Sequence, residues 1–305
     1  MPFIINGWSG SAPILILLFR LCYKGRTDHP EEPETDEKME MHRMRLHPQG
    51  RRTARSLSRL RIPPGEIHRA EMIGSGEKVA LVTGGGRRIG AAISGRLARE
   101  GFTVVLTYRA SRAQARSLAR EIGGRAVPLD FLRPGGVSRL VATIERDFGR
   151  LDLLVHNAAV FRRTPAGAVG ARDWDEIFAV NLRGPFLLTQ AFLPLLRATP
   201  GAAVLFLGDS GAVRMWPGYL PYCLSKLGLA HQAGAWKKIL GPHVRVGMVN
   251  PGFALAPPGF PEGEWLRLRS RGFVRGPDSP GKVVGTVLRF IRRGGYNSAV
   301  SRCSR

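Results

Sequence analysis

Eight residues constrain this 305-residue chain more than any others: Thr83-Gly84-Gly85-Gly86-Arg87-Arg88-Ile89-Gly90. They follow the apolar run Val79 to Val82, which reads as a short strand, and lead into a helical pattern from Ile89 to Arg99. A second strand, Thr103 to Tyr108, and a helix from about Ser111 to Ile122 come next. A lone glycine cluster says little, but strand, glycine-rich turn, helix and strand in this order form a dinucleotide-binding unit. The glycines let the backbone approach a diphosphate, while the helix N-terminus offers unpaired N–H groups and a positive dipole end. Gly84, Arg87, Arg88, Ile89 and Gly90 are therefore candidate cofactor contacts.

The alternation continues. Arg125 to Leu129 reads as a third strand ending at Asp130, a residue placed to meet an adenine edge or to cap the next helix. Gly136 to Phe148 is amphipathic, and Leu151 to Val155 is a fourth strand running into His156-Asn157-Ala158-Ala159. Small residues there permit a close cofactor approach, with Asn157 either a contact or a turn residue. Asp173 is placed to cap a long helix from Trp174 towards Leu196, with Asn181 inside it and Pro185 bending it. Ala203 to Leu207 is a fifth strand, Tyr219 to Leu240 a helix, Val244 to Val249 a sixth strand before Pro251-Gly252, and Pro280 to Ile291 a last helix. Such alternation predicts an α/β fold, a parallel sheet with helices on both faces.

A second constellation lies near the C-terminal end of the fifth strand, where open α/β sheets place their ligands. Tyr222 and Lys226 are four apart, on one face of a helix, and Asp209 sits just past the strand. An ammonium beside a phenol favours the phenolate, so Lys226 is expected to pull the Tyr222 pKa down towards working pH. Cofactor choice follows from the second strand. NAD enzymes carry an acidic residue at its end to bind the ribose diol, whereas this chain has Tyr108-Arg109-Ala110-Ser111. Arg109, with Arg87 on the first turn, suits a 2′-phosphate and hence NADP(H); the other reading is two solvated arginines in an arginine-rich chain.

Composition sets the surroundings. The formal charge is +23, from 46 Lys and Arg against 23 Asp and Glu, which favours phosphorylated or carboxylated ligands. The arginines are dispersed, and no helix-turn-helix, finger or RNA-binding signature appears, so no specific nucleic-acid partner is expected. Three cysteines without disulfide or metal spacing suit a cytoplasmic protein, and no metal site is read. The run Ile14 to Phe19 is far short of the roughly 20 residues of a membrane span. Residues 1–76 carry an acidic block and then a basic one with little apolar periodicity; they read as a disordered extension or a start placed too far upstream.

Taken together, Thr83-Gly84 to Gly90, Asp130, Asn157-Ala158-Ala159, Asn181, Tyr222 to Lys226 and Pro251-Gly252 resemble the short-chain dehydrogenase/reductase family over roughly residues 77–291. The resemblance implies one doubly wound Rossmann domain, NAD(P)(H), a small-molecule substrate and a dimer or tetramer. It places the acid/base on Tyr222, assisted by Lys226 and an Asn181-held water, and the cofactor on Gly84 to Gly90, Arg109, Ser111, Asp130, Asn157, Ala158, Lys226, Pro251 and Gly252.

Two departures narrow it. The middle glycine of the usual turn is Arg88, and the usual catalytic serine, thirteen residues before the tyrosine, is Asp209. Both look like the pteridine, dihydromonapterin or dihydrofolate reductases of the family. In that branch the arginine reaches cofactor phosphates and pterin, the aspartate works with the tyrosine, and an aromatic at the place of Phe161 stacks on the ring. Arg88, Phe161, Asp209 and Tyr222 are thus the implied substrate contacts, although a serine common in that branch is Ala159 here. The alternative at the strand end is that Ser210 supplies the hydroxyl and Asp209 is a cap. A carbonyl or 3-oxoacyl reductase, or a non-catalytic cofactor-binding scaffold, are the other functions this pattern allows. Gly294-Gly295-Tyr296 follow directly on the last helix, so the family's seventh strand is expected to be missing and 292–305 to be an irregular tail.

Overall fold

The computed structural model describes residues 77–252, 263, 266–267, 279–292 and 300–302. The expectations for residues 1–76 lie outside these. Among the described residues, seven strands form one parallel sheet in the order β3-β2-β1-β4-β5-β6-β7. They are β1 (Lys78–Val82), β2 (Phe102–Tyr108), β3 (Arg125–Pro128), β4 (Leu153–His156), β5 (Ala203–Leu207), β6 (Arg245–Asn250) and β7 (Val300–Arg302). The chain leaves β1 towards β2 on one side and returns to β4 on the other, which opens a crevice at the C-terminal strand ends.

Alternation along each strand explains why helices cover both faces. In β1, Val79 and Leu81 enter one core while Ala80 and Val82 enter the other; in β5, Val204 and Phe206 oppose Leu205 and Leu207. The first core is closed by Leu140 and Ile144 of α3 (Gly136–Phe148), Leu188 of α5 (Gly184–Ala191), Leu196 of α6 (Leu193–Ala198) and Leu229, Trp236 and Leu240 of α7 (Leu220–Leu240). The second is closed by Ile93 and Leu97 of α1 (Arg88–Arg99) and Val283 and Val287 of α8 (Pro280–Arg292). Ala115 and Ala119 of α2 (Arg112–Glu121) pack on Leu106 and Tyr108 of β2.

Three expectations are corrected. The missing seventh strand is present: Val300–Arg302 pairs in parallel with β6, Met248 opposite Val300, so the segment read as an irregular tail contains a strand. A glycine pair after the last helix reads as an ending, yet a connection need only be long enough to return to the sheet edge. The long helix from Trp174 to Leu196 is instead α4 (Ala171–Phe178), a π-turn (Ala179–Arg183), α5 and α6. Prolines stand in the first turn of both later segments. Asp173 does not cap α4; Gly170 occupies that position, and the Asp173 carboxylate pairs with Arg162.

Glycines set how closely the turn packs. A Cβ on Gly90 would lie 2.3 Å from the Gly84 carbonyl oxygen and 2.6 Å from Asn157 Nδ2, whereas one on Gly95, in the same helix, would meet nothing within 4 Å. Gly90→Ala is expected to destabilise the fold by about 1–3 kcal/mol, and Gly95→Ala to stabilise it by about 0.5–1 kcal/mol. Urea melts of the two variants give the opposite signs if the turn is held as described.

Candidate active site

A cleft of about 590 Å³ runs along the C-terminal ends of the strands. The glycine-rich turn that lines it is anchored by Thr83. The buried Thr83 hydroxyl donates to the Val155 carbonyl (3.2 Å) and accepts from the backbone N–H groups of Asn157 (2.9 Å) and Ala158 (3.0 Å). Asn157 Nδ2 donates to the carbonyls of Thr83 (2.9 Å) and Gly84 (3.1 Å), and the Gly84 N–H donates to Thr107 Oγ1 (3.2 Å). The glycine-rich turn is thereby tied to β4 and β2. Gly84 has φ +62°, and a Cβ there would stand 3.2 Å from Ala158 Cα. Arg88 also has a left-handed φ of 54°, the position where the usual turn carries glycine. Partial burial and then the neighbouring Arg87 charge lower the Arg88 pKa.

The cleft brings together most of the expected residues: Gly84, Arg87, Arg88, Ile89, Gly90, Arg109, Ser111, Asn157, Ala158, Phe161, Asp209, Tyr222, Lys226, Pro251 and Gly252 all line it. Asp130 does not. Its carboxylate accepts from the Leu132 N–H (3.0 Å) in a local turn and faces Arg133. Nor does Ser210, whose hydroxyl donates to the Pro251 carbonyl (3.3 Å), so it takes no hydroxyl role beside Tyr222.

The cluster around Tyr222 is compact. Tyr222 OH donates to Asp209 Oδ2 at 2.6 Å, and Asp209 Oδ1 accepts the Gly211 N–H at 2.7 Å. Burial raises the Asp209 pKa above the ordinary carboxylate range, with the Tyr222 hydrogen bond opposing. Tyr222 is pushed well above 10, by burial first and then by the Asp209 charge. This corrects the expectation of a phenol acidified by lysine: the Lys226 ammonium lies 5.9 Å from the ring centroid, and desolvation and the carboxylate prevail. Burial brings Lys226 itself down to about 8, and its Nζ donates to the Leu207 carbonyl at 2.8 Å.

Asn181 is fully buried and its amide is engaged. Oδ1 accepts from the Val160 N–H (2.7 Å), and Nδ2 donates to the Val160 carbonyl (3.0 Å) and to Ser225 Oγ (3.0 Å). The residue four positions on is Pro185, so the Asn181 main-chain carbonyl has no α-helical donor there. Phe161 stacks on Tyr219 (4.7 Å) and meets the edge of Tyr222 (4.6 Å). Cys223 is a buried packing residue of the same cluster. His156, beside Asn157 in sequence, faces the core against Phe206 and is held neutral by burial, its pKa down to about 3.

Sequence reading missed Thr107, Ser225, Trp216 and Arg162. The first two act by fixing other residues and carry no motif; Trp216 and Arg162 reach the cleft from loops whose course only the fold decides. Among the described residues, five cationic side chains line the cleft, Arg87, Arg88, Arg109, Arg162 and Lys226, against a single carboxylate, Asp209. A glycine cradle at a helix N-terminus, with this charge balance, fits a dinucleotide diphosphate. Among the described residues no group of His, Cys, Asp and Glu is placed to hold a metal, and no helix is long and apolar enough to cross a membrane.

The model of the short chain dehydrogenase family matches residues 78–259, and the chain belongs to that family of NAD(P)(H) oxidoreductases. It is 33% identical over 184 residues to a D-threitol dehydrogenase of Mycolicibacterium smegmatis, covering 57% of this chain and 69% of the relative. It is 35% identical over 193 residues to the short-chain reductase protein NovJ of Streptomyces niveus (61% and 73%). With a 3-oxoacyl-(acyl-carrier-protein) reductase FabG of Staphylococcus aureus it shares 31% over 186 residues (59% and 75%).

The burial of Lys226 has a measurable consequence. Its folded pKa lies below its unfolded one, so between about 8 and 10.5 the unfolded chain binds more protons and the folded state gains stability as pH rises. Melting temperatures of wild type and Lys226→Met should therefore diverge in favour of wild type across that window, and run parallel below it.

Proposed function

We propose that the protein is an NADPH-dependent reductase of a pterin-like ring, a dihydropteridine or dihydrofolate. The observation that carries this reading is the 2.6 Å hydrogen bond from Tyr222 to Asp209, at the position where a ketone reductase of this family would carry a serine hydroxyl. A carboxylate repels the oxyanion of a ketone under reduction. It suits a ring that presents N–H donors and must take a proton on nitrogen.

NADPH, when bound, supplies the hydride that reduces a ring C=N bond at carbon. Tyr222 delivers the proton to the nitrogen, and Asp209, with its raised pKa, shares that proton and accepts from the ring N–H groups. Lys226 holds the nicotinamide ribose. The Asn181 main-chain carbonyl holds the water that returns a proton to the site. Phe161, stacked on Tyr219 and lining the cleft, meets the pterin ring, and Arg88 reaches both phosphate and pterin. Arg87 and Arg109 receive the 2′-phosphate; among the described residues no carboxylate lines the cleft at the end of β2 to hold a free ribose diol. Exposed Phe186 and Leu187 on α5 support a dimer or tetramer.

A second reading, a carbonyl or 3-oxoacyl reductase, is favoured by the names of the relatives. A non-catalytic scaffold is disfavoured by the assembled Tyr222, Lys226 and Asp209. NADPH oxidation measured with dihydrobiopterin, dihydrofolate and a 3-oxoacyl thioester separates these readings. Asp209→Ser is expected to slow pterin reduction by about a hundredfold or more while raising any carbonyl activity, and Asp209→Ala to lose the first without gaining the second. Pterin turnover that survives Asp209→Ser refutes the role given to Asp209, and a wild type that reduces only the thioester establishes the carbonyl reading instead. For the cofactor, Arg109→Asp should weaken NADPH far more than NADH in a binding titration, and equal losses would refute the 2′-phosphate assignment.

A further inference from the structure

Arg109, at the mouth of the cleft, has a partner that no sequence motif marks. Its Nη1 donates to Glu176 Oε1 at 2.8 Å, and Arg162 Nη2 donates to the other oxygen, Glu176 Oε2, at 2.8 Å. Arg162 also pairs with Asp173, one turn earlier on α4. Two guanidinium groups and two carboxylates thus alternate from the end of β2 to the start of α4. Glu176 is the enclosed member, with its side chain 14% exposed, while that of Arg109 is 46% exposed. Hydrogen bonding to Arg109 is the first cause that holds the Glu176 carboxyl below its usual range, so it is charged at neutral pH. Arg109 and Arg162 line the cleft; Glu176 does not.

We propose that Glu176 is a positioning residue that sets cofactor selectivity, by competing with the 2′-phosphate of NADPH for the Arg109 guanidinium. The inference rests on Arg109 as the 2′-phosphate ligand. Two features decide the sign of the effect. A phosphate that reaches Arg109 comes within a few ångströms of a carboxylate of like sign, an interaction weakened but not abolished by solvent. Glu176 also keeps Arg162 when Arg109 turns away, so release of Arg109 leaves no buried charge uncompensated. The arrangement therefore tempers NADPH affinity without blocking it. NADH has no 2′-phosphate and does not enter the competition.

The test is a titration of the full chain with NADPH and with NADH, followed by nicotinamide fluorescence at low and high salt. Glu176→Gln keeps the shape and removes the charge. It is expected to tighten NADPH about three- to tenfold, to leave NADH within about twofold, and to lose most of its advantage at high salt. Glu176→Asp restores the charge and should return selectivity towards wild type. In Arg109→Ala, the further change Glu176→Gln should raise the NADPH to NADH ratio much less than it does with Arg109 in place. The proposal is overturned if Glu176→Gln weakens NADPH or shifts both cofactors equally, either of which marks a merely structural role in α4. If Arg109→Ala leaves the NADPH to NADH ratio unchanged, the 2′-phosphate reading itself fails, and the proposal with it. A selective loss in Arg109→Ala beside no change in Glu176→Gln overturns the proposal alone.

Discussion

The site depends on one hydroxyl. Thr83 stands where β1 ends, at the point where the chain order of the sheet reverses, and its oxygen joins the Val155 carbonyl to the N–H groups of Asn157 and Ala158. Together with the Asn157 amide bonds to the Thr83 and Gly84 carbonyls, that junction fixes the spacing of the two halves of the crevice. With it, the Gly84 turn on one side and the Ala158-to-Phe161 segment on the other are held in one frame. Asn181 repeats the device deeper in the molecule: its amide fixes Val160 by both backbone groups and reaches Ser225 on α7, the helix that carries Tyr222 and Lys226. Polar side chains that touch no ligand therefore set the distances among those that line the cleft.

Electrostatics divides the cleft into two regions. Around the glycine turn and the end of β2 the lining is cationic, with Arg87, Arg88 and Arg109. Around α7 the charges are enclosed and opposed, Asp209 against Lys226, with the neutral Tyr222 between the carboxylate and the aromatic cluster. A long ligand with an anionic end and an uncharged, hydrogen-bonding end matches this division along its length. The cost of burying Lys226 is offset in part by the Leu207 carbonyl and by the attraction of Asp209.

Much of this was legible in the chain because two local rules coincide with the global fold. Apolar runs bounded by glycine and small residues gave all six strands from Lys78 to Asn250, and the glycine turn gave the crevice. Legibility ended where a residue's role depends on partners distant in sequence. Asp130 resembles a cofactor contact by position, but a local turn claims its carboxylate. Tyr222 beside Lys226 reads as an acidified phenol, yet depth of burial, invisible in sequence, reverses the direction. The helix through Asn181 reads as continuous because its apolar period survives; the π-turn that interrupts it is a backbone event no periodicity shows. Glu176 carries no motif at all, since its partners come from β2 and from the loop after β4.

The seventh strand bears on solubility. Among the described residues, pairing of β6 with Val300–Arg302 moves the edge of the sheet from six residues of continuous backbone, Arg245–Asn250, to a strand of three. The opposite edge is β3, four residues that begin with Arg125 and end with Pro128, which has no N–H to offer. Short length, a charged end and a missing donor each make a strand a poor template for intermolecular pairing. Both borders of the sheet thus discourage the edge-to-edge growth that leads from a soluble α/β domain to an aggregate.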